Sequence, residues 1–103
     1  MHNLNDRTQM IQRVLGTGKK LAAKLELRIV NEETKHFLLR GALKALKDVE
    51  LFLLPRALKA SEFRSAAGWF DAAEFQLQWA HEQLKNAQAM VDKYGPNLRV
   101  SGG

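Results

Sequence analysis

Residues 65–94 constrain this chain most: they contain one glycine, Gly68, and no proline, and large apolar residues recur every seventh position at Phe70, Leu77, Leu84 and Val91. Ala66, Ala73, Ala80 and Ala87 repeat at the same interval. A seven-residue recurrence returns side chains to one face of a helix, and alternating large and small residues make a seam on which a second helix can sit closely. The pattern predicts a helix from Ser65 to Tyr94, closed by Gly95 and Pro96 in the order that ends helices. Such a helix, about 29 residues at 1.5 Å each, is about 43 Å long and needs an antiparallel neighbour.

The same helix carries a second apolar set. At 100° per residue, Gly68, Ala72, Phe75 and Trp79 project about 140–200° away from the seam. One face cannot bury both sets. Either the rest of the chain flanks this helix on two sides, or Ala72, Phe75 and Trp79 form a partner interface, where aromatic residues are typical anchors.

Upstream, Ile11, Val14, Leu21, Ala22, Leu25 and Ile29 follow the helical period from Asp6 to Ile29, with a hinge expected at Gly16-Thr17-Gly18. Asn31, followed by Glu32 and Glu33, reads as the cap of a second helix, since the amide oxygen accepts from free N–H groups and the acids oppose the helix dipole. Its buried arc is expected at Leu38, Leu39, Ala42, Leu46, Val49 and Leu53, with Leu43, Ala45 and Phe52 at the margins. Pro55 is expected to end or kink it. These elements predict an all-α fold, a three- or four-helix bundle in a single domain over residues 1–103, with 1–4 and 97–103 as tails. The alternative is a winged helix-turn-helix in which Lys19–Leu27 and Asn31–Leu46 form the motif, Val49–Phe63 the wing and the C-terminal helix a dimerisation element.

Charge is uneven along the chain. Residues 1–61 hold 12 Lys and Arg against 6 Asp and Glu, whereas 62–103 hold 4 against 5. Arg13, Lys20, Lys24 and Arg28 share an arc of the first helix opposite its apolar face, and Arg40, Lys44 and Lys47 do so on the second. If the two stripes met, they would offer a basic surface for nucleic-acid phosphates.

Catalytic signatures are thin. Gly16-Thr17-Gly18-Lys19-Lys20 lacks the earlier glycine, the Ser/Thr after lysine and the preceding strand that a phosphate loop requires. Glu33 and His36 have the spacing of a helical di-metal ligand pair, but no second such pair exists. With no cysteine, no thiolate site is available. No cofactor, metal or catalytic residue is assigned.

The sequence therefore supports a non-enzymatic protein-protein interaction or self-assembly module, a homodimer or the partner of another protein. A basic dimeric nucleic-acid binder is the alternative, and a small helical acid-base enzyme is the second. A cytoplasmic location is expected, without membrane association, because no run of about 18 uncharged apolar residues occurs.

Overall fold

Every long periodic segment of the sequence becomes a helix in the computed structural model, which describes residues 4–60 and 66–100. Helix α1 spans Leu4–Arg28, and α2 spans Glu32–Asp48. A π-helical turn at Val49–Leu53 leads into α3, Leu54–Lys59, and α4 spans Ala66–Tyr94. Because α2, the π turn and α3 run on without leaving helical geometry, the architecture is three rods measuring 49 × 23 × 16 Å together. No strand occurs among the described residues. Of the segment required as a wing, Val49–Phe63, the stretch Val49–Lys59 is helical and 61–63 lie outside the described residues, so the winged alternative is corrected to a bundle.

The cross-links fix the topology. Arg7 of α1 reaches Asp71 and Glu74 near the start of α4, and Arg28 reaches Asp92 near its end, so α1 and α4 are parallel. Gly41 lies against Trp79 and Arg56 over Trp69, so α2 and α3 run antiparallel to α4. The seam packs as its spacing predicts. Phe70, Leu77, Leu84 and Val91, together with the four alanines between them, are all buried. They meet Ile11, Leu15 and Leu25 from α1, Ile29 just beyond its end, and Leu39, Leu46, Val49 and Leu54 from the second rod in one core.

Several boundaries differ from expectation, each for a local reason. Helix α1 passes through Gly16 and Gly18 unbroken. Gly18 is part of its packed face, because a Cβ there would stand 3.0 Å from Leu46 Cδ2; the missing side chain serves close approach of α1 and α2. That face buries Leu15, while Val14, placed in the arc by the sequence, is exposed. Pro55 does not end the second rod. Proline lacks an N–H and clashes with the carbonyl four residues back in a regular α-helix. Here the turn ahead of it widens, and Leu54 N–H donates to Val49 O, five residues back. The wider turn also redirects the buried stripe, so that Leu54 is buried and Leu53, expected in the arc, is only half-buried.

The ends of the rods are tied together. Asn31 caps α2 as read, its Oδ1 accepting from Thr34 N–H at 2.9 Å. Gly95, at φ 88, turns the chain out of α4. Residues 97–100, expected as part of a tail, instead pack back. Leu98 is buried, Val30 N–H donates to Pro96 O at 3.0 Å, and Val100 N–H donates to the buried Thr34 Oγ1 at 3.0 Å. An apolar leucine and two otherwise free N–H groups explain why this segment docks. The remaining tail residues, 1–3 and 101–103, lie outside the described residues, whereas Leu4 begins α1.

Candidate interaction surface

The second apolar set of α4 opens onto the face that α4 shares with α2. Trp79 lies at its centre, 41% exposed, with its indole laid across Gly41; a Cβ at that glycine would come 2.8 Å from Trp79 Cη2. Phe75, one turn earlier, is 67% exposed, and Ala72 is half-buried. The three residues singled out from the sequence therefore share one surface. The second rod adds residues that sequence reasoning placed outside any site. Phe37 is 71% exposed and Phe52 51%. On α2, Phe37, Gly41 and Lys44 recur at helical spacing, so this stripe was visible once Gly41 was read as a position for a neighbouring side chain rather than as a defect.

At one end of the face, Phe37, Met90, Tyr94, Leu98, Arg99 and Val100 line an open groove of about 500 Å³. At the other end, the Arg56 guanidinium lies 5.4 Å from the Trp69 ring centroid and 5.9 Å from that of Phe52. A cation between two rings holds both side chains in place and is worth about 0.5–1 kcal/mol per contact at exposed sites. Trp69 itself packs against the core.

The basic candidates are all exposed but are not equivalent. Arg28 is committed to Asp92 at 2.9 Å. Lys47 lines the α1–α2 groove beside Lys19, Glu26 and Glu50, and Lys19 is bonded to Glu50 at 2.7 Å. Those carboxylates stand between the two basic stripes, so the stripes do not fuse across the groove. Arg13, Lys20, Lys24, Arg40 and Lys44 form no ion pair with any described residue.

Elsewhere the charges serve packing. Arg7 bonds Asp71 at 2.7 Å and Glu74 at 3.0 Å, with its guanidinium 5.2 Å from the Phe70 ring centroid. The Asp71 hydrogen bond raises the Arg7 pKa from its ordinary value, against desolvation and with help from Glu74. Glu33, His36 and His81 are exposed, and no group of three or more His, Asp or Glu able to hold a metal ion occurs among the described residues. No described helix is long and apolar enough to cross a membrane.

No family model matches this chain, and neither a curated protein nor a solved structure matches it.

Proposed function

We propose that this chain is a non-enzymatic helical interaction module that self-associates through the α2–α4 face, with Ala72, Phe75 and Trp79 at the centre of the contact. The observation that carries this reading is the concentration of large aromatic side chains on one side of the molecule: Phe37, Phe52, Phe75, Trp79 and Tyr94 are each 41–71% exposed. Burying such a side chain fully gains about 1.5–3 kcal/mol relative to leaving it in water. A monomer forgoes that gain, and exposed aromatic side chains of this kind are typical anchors of association sites. Glu26 and Glu50 in the groove between the basic stripes weigh against a continuous phosphate-binding surface.

Trp79→Glu tests the reading. A carboxylate at the centre of an apolar contact loses its hydration without gaining a partner, so the variant should elute as a monomer under conditions where the parent does not. Its helical circular dichroism should be unchanged, because Trp79 lies outside the buried seam. Loss of helicity instead would make Trp79 an ordinary part of the fold and remove the argument.

A further inference from the structure

From the charges that border this face, and resting on the self-association reading, we infer that the second copy docks about a two-fold axis parallel to the helices. In that arrangement α2 of each protomer covers α4 of the other. By the 100° step, the α2 edge of the face carries Arg40 and Lys44, with Asp48 one turn beyond, while the α4 edge carries Glu82, with Lys93 three turns beyond. The Gly41–Trp79 contact fixes the relative height of the two helices, which run antiparallel, and at 1.5 Å per residue it sets Glu82 about 3 Å along the axis from Arg40 and about 9 Å from Lys44. The two edges are about two helix diameters apart within one protomer. Accordingly Arg40, Lys44 and Glu82 form no ion pair with any described residue. Glu82 stands apart from the other carboxylates of α4, since Asp71 and Glu74 are held by Arg7 and Asp92 by Arg28.

A two-fold interface sets a surface against itself, and only some axes bring opposite charges together. An axis along the helices carries the basic α2 edge of one copy onto the Glu82 edge of the other, twice. An axis across the helices at that level sets α2 on α2, with Arg40 facing its own counterpart and Glu82 facing Glu82. Like charges in register disfavour that second arrangement and opposite charges favour the first. The aromatic centre is served as well, because an axis along the α2–α4 groove brings the two Trp79 indoles to the same height. The face is large enough. One long helix of about 43 Å by two helices, about 19 Å across, gives about 800 Å², the area each partner contributes to a standard stable interface.

Charge reversal tests the arrangement in the full chain, with dissociation measured by sedimentation and folding checked by circular dichroism. Arg40→Glu and Glu82→Arg should each weaken the dimer by about tenfold or more, because symmetry counts each change twice. The double variant Arg40→Glu/Glu82→Arg should recover most of the affinity. A parent dimer that is indifferent to the single reversals, or a double variant that stays weak, overturns this arrangement while leaving self-association standing. A parent that is monomeric throughout overturns both.

Discussion

At the scale of single residues, three glycines inside helices show why glycine content alone does not reveal a hinge. Gly18 and Gly41 are sites of close approach, to Leu46 and Trp79, whereas Gly16 faces open space. Alanine is favoured over glycine in a helix interior by about 1 kcal/mol. Gly16→Ala should therefore raise stability in urea unfolding by about 0.5–1 kcal/mol. Gly41→Ala receives the same backbone gain, but its Cβ would sit 2.8 Å from the Trp79 ring, so the indole must shift. Overpacking costs about 1–3 kcal/mol. The expected result is a net loss and, in a Trp69→Phe background, a red shift of Trp79 emission as the ring moves toward water. Equal gains at both positions would show that Trp79 does not rest on Gly41.

At the scale of elements, α4 was the most legible part of the sequence, because its seven-residue repeat states which face is buried without help from the rest of the chain. The second rod was legible only as far as Val49. Beyond it, a constant 100° step assigns Leu53 to the core, and the π turn transfers that role to Leu54. Proline announces that the ladder must change, yet whether the helix ends, kinks or widens depends on what packs against it. Leu54 and Ala57 are buried there, which keeps the rod going. The two descriptions order a pair of variants oppositely. Leu54→Ala should cost about 2–5 kcal/mol and Leu53→Ala clearly less, read from urea midpoints with m-values checked. The reverse order would mean that the rod continues as a regular α-helix. The docked segment at 97–100 was missed for a related reason: Leu98 and Val100 have no periodic context, and Thr34, the acceptor for Val100, looks from the sequence like an ordinary first-turn residue.

At the scale of the whole molecule, three rods bury one seam thoroughly and leave a second apolar surface uncovered. The sequence announced this through two apolar sets on one helix, but it could not tell which set the rest of the chain would cover. The structure divides them: the seven-residue seam is the core, and Trp79 is only partly covered by the second rod, with Phe75 further out. Phe37 belongs to the surface once Gly41 is read as the seat of a neighbouring side chain, whereas Phe52 joins it only when the second rod is laid antiparallel beside α4, since no pattern in the sequence points there by itself. The charge distribution follows the same logic. Carboxylates of α4 next to α1 are consumed in ion pairs that hold the bundle together, and Glu82, next to the aromatic face, is left for a contact outside it. If this face closes on a second copy of the chain as proposed, the solution mass shows it. Light scattering across about a hundredfold range of concentration should show twice the 11.7 kDa chain mass at the high end, falling toward 11.7 kDa on dilution. A mass fixed at 11.7 kDa throughout would contradict it.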